Sequence, residues 1–286
     1  VIADPLPHAW HFAAIGTPWR IDTETPIPDE VRASIARRIA RFDADWSRYR
    51  DDSLIARIAR TPGRHRLPDD AGPLLALYAE LYTATQGRMS PLVGGALAAA
   101  GFGPRLPGAA DAIPAWADAL AWDGTHLDTL RGVTLDVGAA GKGHLVDIVS
   151  GQLADAGFAR HVVDGSGDLR IRDVPMRIAL EHPGDPTKAI GVAELSEGAL
   201  SASAGNRRVR ADGRHHILDA VTGLPVRDVV ASWAVAADEL TADGAATALL
   251  VGVDDAWLAR RGVEWVRILQ DGTIESSRDF PGEVFA

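Results

Sequence analysis

The chain has no cysteine, which excludes disulfides, a thiolate nucleophile and any Cys-ligated metal while leaving the redox compartment undetermined. Aromatic residues make up only 6%, and they follow no pattern of the kind that stacks nucleic-acid bases. Basic residues are outnumbered by acidic ones, giving a net charge of -10. That balance argues against a broad electrostatic grip on nucleic acid or anionic membrane, though a local basic pocket for a phosphate remains open. No hydrophobic run approaches the length of a membrane span, and no basic segment followed by an apolar run opens the chain, so membrane contact is not indicated. Cytoplasmic is the default expectation, with a periplasmic or membrane-anchored location if a leader precedes Val1.

What is present is an ordinary globular balance over 286 residues, 47% hydrophobic and 24% charged, enough to bury a core and expected to form a single domain over 1–286. Residues 8–22 read as strand, turn and strand around Ile15-Gly16-Thr17. Pro28-Asp29-Glu30 opens a basic amphipathic helix through about Arg41, followed by a loop over 45–53. The helical pattern returns over 69–84 and stops at Gly87. Residues 101–114, rich in Gly, Pro and Ala, are the best candidate for a mobile connection. Beyond them come a hairpin at 122–125, a strand over 127–137, a glycine loop over 138–143 and a helix ending at Gly157. Short strands continue to about Ile217, a further strand spans 229–237, and a hairpin turning at Asp271-Gly272 closes the chain. Strands and helices without regular βα alternation predict an α+β fold with the site in a cleft, not a doubly wound sheet.

Three stretches can carry chemistry. Thr241-Ala-Asp243-Gly-Ala-Ala-Thr247 lies in an Ala-rich helical pattern and puts a carboxylate and a hydroxyl on one face, four residues apart. Those two hard oxygens can serve one cation, with Mg²⁺ the natural choice; equally, Asp243 can satisfy free N–H groups near its own helix start while Thr247 back-bonds to a carbonyl. In Asp136-Val-Gly138-Ala-Ala-Gly141-Lys142-Gly143, Asp136 and Gly143 stand where a nucleotide-triphosphate loop requires Gly and Ser or Thr. The physics of small residues, a helix N-terminus and Lys142 still suits a diphosphate, and suits a tight structural turn equally well. His215-His216-Ile-Leu-Asp219-Ala-Val-Thr222-Gly223 gathers two histidines, an acid and a hydroxyl at a glycine turn, where a histidine can move a proton at neutral pH or simply be structural. Asp164-Gly-Ser-Gly-Asp168 is a further permissive turn.

Taken in order, these stretches resemble the flavin transferase (ApbE) family, which moves FMN from FAD onto a threonine hydroxyl of a target flavoprotein. Ile15-Gly16-Thr17 is similar to its N-terminal Met-Gly-Thr, Ser47-Arg-Tyr49-Arg-Asp-Asp-Ser53 to its flavin-side loop, and Leu135 to Asp147 to its Asp-Leu-Gly, Ala-Lys-Gly and Asp signature. Asp164 to Asp168 resembles its Gly-Gly-Asp turn, His216-Ile-Leu-Asp219-Ala-Val-Thr222-Gly223 its His-Ile-Ile-Asp-Pro-x-Thr-Gly, and Ala242-Asp243-x-x-x-Thr247 its metal motif. The resemblance implies Mg²⁺ held by Asp243, Thr247 and the backbone carbonyl of Gly141. It places Tyr49 against the isoalloxazine and Gly138, Lys142, Gly143, Asp168 and Thr222 around FAD, with His216 and Asp219 as catalytic candidates. Attack by a protein hydroxyl on the FMN phosphorus would then release AMP. FAD hydrolysis to FMN and AMP, or FAD binding with weak catalysis, are the alternatives it implies. Ser90 and Leu92 stand where the family usually has Asp and Thr, Ala220 replaces its Pro, and Ala59 its Asn; these departures point to a change on the acceptor side.

Overall fold

Ile15 and Gly16 both take positive φ, 44° and 79°, the two-residue turn that suits the twist of an antiparallel hairpin. It joins β1 (His8–Ala14) to β2 (Thr17–Thr23), as the pattern predicts. The computed structural model describes residues 6–106, 112–208 and 215–285. Helix α1 (Asp29–Trp46) starts after the extended Pro28 and buries Ile35, Ile39, Phe42 and Trp46 along one face. It runs five residues past the expected Arg41 because Phe42 and Trp46 continue that stripe. Helix α2 (Leu54–Arg60) was not expected. Ser53 caps it, its Oγ accepting the Ala56 N–H at 3.0 Å, but seven residues buried on several sides show no helical period.

After β3 (Gly63–Arg66), α3 (Ala71–Ala84), α4 (Gly94–Ala99) and α5 (Trp116–Ala119), strands β4 (Leu120–Trp122) and β5 (His126–Thr129) complete a small sheet in the order β3-β5-β4. The expected strand over 127–137 therefore pairs only to Thr129. Val133, Leu135 and Val137 are buried, and so is Thr134 between them; the backbone of this stretch bonds elsewhere, with Asp136 N–H donating to the Pro91 carbonyl at 2.7 Å. Gly94 packs so closely on Thr134 that a Cβ there would lie 2.5 Å from its carbonyl oxygen. Residues 107–111 of the expected mobile connection lie outside the described residues.

The remaining elements are α6 (Gly141–Asp155), β6 (His161–Asp164), β7 (Leu169–Arg172), β8 (Met176–His182), β9 (Asp185–Leu195), β10 (Gly198–Ala204), β11 (Val229–Ala236), α7 (Glu239–Val251), α8 (Asp255–Arg260), β12 (Glu264–Leu269), β13 (Ile274–Ser276) and β14 (Gly282–Val284). The central sheet runs β1-β2-β6-β7-β10-β11-β12-β13, and every pairing among the named strands is antiparallel. This is the expected α+β arrangement. Both faces of the sheet are covered. Ile21, Val163, Ala199 and Ala234 join the core shared with α1, α3, α6 and α7, whereas Val162, Leu200, Trp233 and Val235 face a second core under β8 and β9. β14, beyond the expected closing hairpin, pairs with β9. No helix among the described residues is long and apolar enough to cross a membrane.

Candidate active site

Helices α6 and α7 cap one another. Gly143, in the first turn of α6, donates its N–H to Asp243 Oδ2 at 2.9 Å. In return Asp147 of α6 accepts the α7 amides of Glu239 at 3.1 Å and Leu240 at 2.8 Å. Only a glycine allows this approach, since a Cβ on Gly143 would clash with the Glu239 carbonyl and lie 2.7 Å from Asp243 Cβ. Asp243 is therefore not the cap of its own helix, the structural alternative left open by the sequence. Asp238 fills that role, its Oδ1 accepting Thr241 N–H at 2.7 Å. Thr247, one turn on from Asp243, sits 3.1 Å from Ser203 Oγ of β10.

Acidic side chains are concentrated at this junction. Burial, then the neighbouring Asp168, pushes the Asp243 carboxyl up to about 8. Glu239 is fully buried with neither side-chain oxygen hydrogen-bonded among the described residues, and burial holds its carboxyl well above the usual range. Sequence reasoning missed Glu239, although its position four residues before Asp243 on one helix was a legible signal. Arg170 lies 3.5 Å from Asp147 Oδ1, and the cation facing Asp168 is Lys142. Its Nζ lies 2.8 Å from Asp168 Oδ2 and donates to the carbonyls of Gly165 at 2.8 Å and Ser166 at 3.4 Å. Ser166 and Gly167 take positive φ, 67° and 97°, turning the 164–168 segment so that those carbonyls face the lysine. Lys142 thus spends its ammonium on the protein, and Asp168 is further fixed by Ser201 Oγ at 2.7 Å.

A second group forms on the loop side. Tyr49 is exposed and lies beside the buried Arg48, whose guanidinium sits 4.6 Å from the Tyr49 ring centroid and pairs with Asp136. Asp136 also accepts the Gly138 N–H at 2.7 Å, linking this loop to the segment that enters α6. Gly103 touches Tyr49, and the neighbouring Phe102 ring is 6.3 Å from that of His216. Residues 102–103, read from sequence only as part of a loose excursion, therefore neighbour both His216 and Tyr49.

His216 is half-buried on the hairpin over 215–226, closed by the Leu218–Pro225 bridge. His215 is structural: its Nε2 is 2.7 Å from the Val226 carbonyl and its ring packs on Gly205. Gly205 directly follows the strand that carries Ser203, which ties the hairpin to the Thr247 side. Asp219 shapes the turn. Its Oδ1 accepts Val221 and Thr222 N–H at 2.8 and 3.2 Å, and its Oδ2 is 3.3 Å from Arg88 Nε. Thr222 Oγ1 accepts the Leu224 N–H at 3.3 Å on the same turn. The fold therefore joins Asp243, Gly141, Lys142, Gly143 and Asp168 at one helix junction, and sets Tyr49 beside Gly103 and His216 near Phe102.

The ApbE family model matches residues 15–266. The chain belongs to the ApbE family. It is 29% identical to an FAD:protein FMN transferase of Rhodobacter capsulatus over 96% of its own length, and spans 58% of the length of that relative. Its fold is similar to that of Flavin Transferase ApbE from Vibrio cholerae, with a TM-score of 0.81, 23% identity and coverage of 96% of this chain and 98% of that one. The ApbE protein from Thermotoga maritima superposes equally well, with a TM-score of 0.81 and 23% identity over 96% of this chain and 99% of that one.

The family departures acquire physical explanations here. Ser90 is buried and caps a short 3₁₀ turn, accepting the Leu92 N–H at 3.2 Å, and Leu92 is itself buried. Both face the interior, one as a cap and the other as packing. Ala220 donates its N–H to the Arg88 carbonyl at 2.8 Å, a bond that a proline there cannot make. Ala59 is buried within α2.

Proposed function

We propose that this protein is a Mg²⁺-dependent FAD:protein FMN transferase that moves FMN to a threonine hydroxyl of an acceptor flavoprotein and releases AMP. Family membership and the transferase named among its relatives support the reaction class. The observation that carries it is the buried Asp243 held on the first turn of α6, with Thr247 one helical turn away.

The donor set suits Mg²⁺. Asp243, Asp168 and Glu239 outnumber Lys142 at the junction, a surplus of acidic groups that a cation would offset. Among the described residues no three His, Asp or Glu side chains converge into a cage. One carboxylate, the Thr247 hydroxyl and the Gly141 carbonyl leave room for water and phosphate oxygens, as an octahedral Mg²⁺ prefers. When bound, the ion would supply charge neutralisation on the diphosphate. The chain's own residues do the rest. Tyr49 receives the ring, the α6 N-terminus favours phosphate, and His216 takes the proton from the acceptor hydroxyl as its oxygen bonds to the FMN phosphorus and the bond to AMP breaks.

The test is incubation with FAD, Mg²⁺ and a threonine-bearing acceptor domain, followed by mass spectrometry of acceptor and nucleotides. Acceptor heavier by FMN, with AMP formed in step, is expected. FMN and AMP in solution with unmodified acceptor would instead indicate hydrolysis. His216→Ala should keep FAD affinity yet slow product formation about 10²-fold; unchanged turnover at saturating FAD removes His216 from the chemistry.

A further inference from the structure

Arg48 is 6% exposed, although a guanidinium carries five donors that burial must satisfy. Nε pairs with Asp136, and Nη2 donates to the Tyr49 hydroxyl at 3.0 Å. Nη1 is buried with no hydrogen-bond partner among the described residues. The same guanidinium lies 4.6 Å from the Tyr49 ring centroid, yet that ring remains 58% exposed. Gly103, at φ +111°, closes over the pair so tightly that a Cβ would meet Arg48 Nη1 and lie 2.9 Å from Tyr49 Cε1. The tyrosine is thus held by a cation and by Gly103 while more than half of the residue stays open to solvent. Burying an ion pair to hold one exposed ring is a poor route to stability, so the arrangement points to use.

We propose that Arg48 is a positioning residue that fixes Tyr49 as a one-sided stacking platform, in register with the glycine loop, for a planar heteroaromatic ring. The register comes through Asp136, which pairs with Arg48 through one oxygen and accepts the Gly138 N–H through the other. A tyrosine ordered in advance binds a ring without the cost of ordering it at that moment. The inference rests on the flavin reading of the site, in which the ring is the isoalloxazine.

Riboflavin and FAD titrations followed by quenching of flavin fluorescence, with a melting curve on each variant, test this. Arg48→Met should weaken both ligands alike, by about 5- to 10-fold, and reduce quenching. Arg48→Lys should recover little, because one ammonium cannot replace a fork that serves Asp136 and Tyr49 together. In a Tyr49→Ala background, Arg48→Met should change affinity by less than about twofold, the non-additivity of residues acting as a unit. A folded Arg48→Met with wild-type affinity and quenching overturns the proposal, as do additive losses or a lowered melting temperature with unchanged quenching. If Arg48→Met does not fold, Tyr49→Phe removes only the hydroxyl that Nη2 holds: partial loss of quenching supports the role and wild-type quenching overturns it. A wild-type protein that binds neither riboflavin nor FAD defeats the flavin reading, and this proposal with it.

Discussion

At the α6–α7 junction Asp243 is 6% exposed and two helices touch through a glycine, whereas on the hairpin that carries His216 the turn residues Val221 and Leu224 stand 66% and 65% exposed. The junction is organised around charge: carboxylates, one lysine and helix amides held by reciprocal caps. The hairpin side is organised around shape, with aromatic rings and a turn that fixes backbone direction while leaving apolar side chains in solvent. Charge worth having in a transition state must be fixed before the reaction begins, in a place that water does not screen. A surface that receives a partner must be reachable. Under the proposed function, the two halves would divide those demands between them.

The largest expected effect breaks the buried half. Asp243→Ala should reduce Mg²⁺-dependent AMP formation by about 10³-fold, since it removes the only carboxylate of the proposed ion site. Asp243→Asn sharpens the result, because its amide oxygen can still accept the Gly143 N–H. It should therefore melt close to wild type and remain inactive. Activity retained by either variant, or by the wild type in excess chelator, removes the metal from the junction.

Lys142→Ala tests whether the lysine belongs to the ligand or to the protein. It strands Asp168, which is 2% exposed, and breaking such a pair costs about 3 kcal/mol. A clear fall in melting temperature is expected, with little change in the ratio of FAD to riboflavin affinity. A lysine reserved for phosphate would show the reverse: unchanged melting and a selective loss of FAD binding.

A smaller effect is set by pH. Burial pushes the Asp147 carboxyl up to about 6, against the lowering effect of the Leu240 and Glu239 amides it accepts. Because the folded value lies above the unfolded one, the folded protein binds more protons between about pH 4 and 6, and stability falls as pH rises through that window. The group's share of that slope is on the order of 3 kcal/mol. Melting curves from pH 4 to 7 should show a wild-type decline that is shallower in Asp147→Asn; parallel curves would mean that Asp147 titrates normally.

The same division explains what could be read from sequence. The i, i+4 spacing of Asp243 and Thr247, the glycines before α6 and the Ile15-Gly16 turn are local patterns, and each appears where expected. Lys142 was legible as a cation at a helix start, but not its partner, because Asp168 lies 26 residues on and is brought close only by the turn after β6. Glu239 lay outside the recognised motif. Val133, Leu135 and Val137 alternate with polar residues like a strand in the sequence, but the intervening Thr134 is buried with them, and no sequence pattern tells whether the backbone also finds a ladder. Phe102 looked like loop because Gly and Pro surround it; only the fold places its ring beside His216.

The smallest expected effect concerns Asp219, where the exposed half meets its own structural frame. As a catalytic candidate it stands three residues from His216, but both side-chain oxygens are engaged, Oδ1 by the Val221 and Thr222 amides and Oδ2 by Arg88. Arg88 is half exposed, so that ion pair contributes at most about 1 kcal/mol. Asp219→Asn keeps an oxygen for the two amides while abolishing the charge and any role as a base. It should lower stability by less than about 1 kcal/mol and leave turnover within about threefold of wild type, whereas His216→Ala loses about 10²-fold. Asp219→Ala also removes the amide acceptor. It should loosen the turn at a cost of about 1–2 kcal/mol and weaken acceptor transfer through the displaced hairpin. The discriminating result is the asparagine variant in single-turnover assays: a loss near that of His216→Ala, with the melting temperature unchanged, would make Asp219 a proton-transfer group and not the frame of the turn.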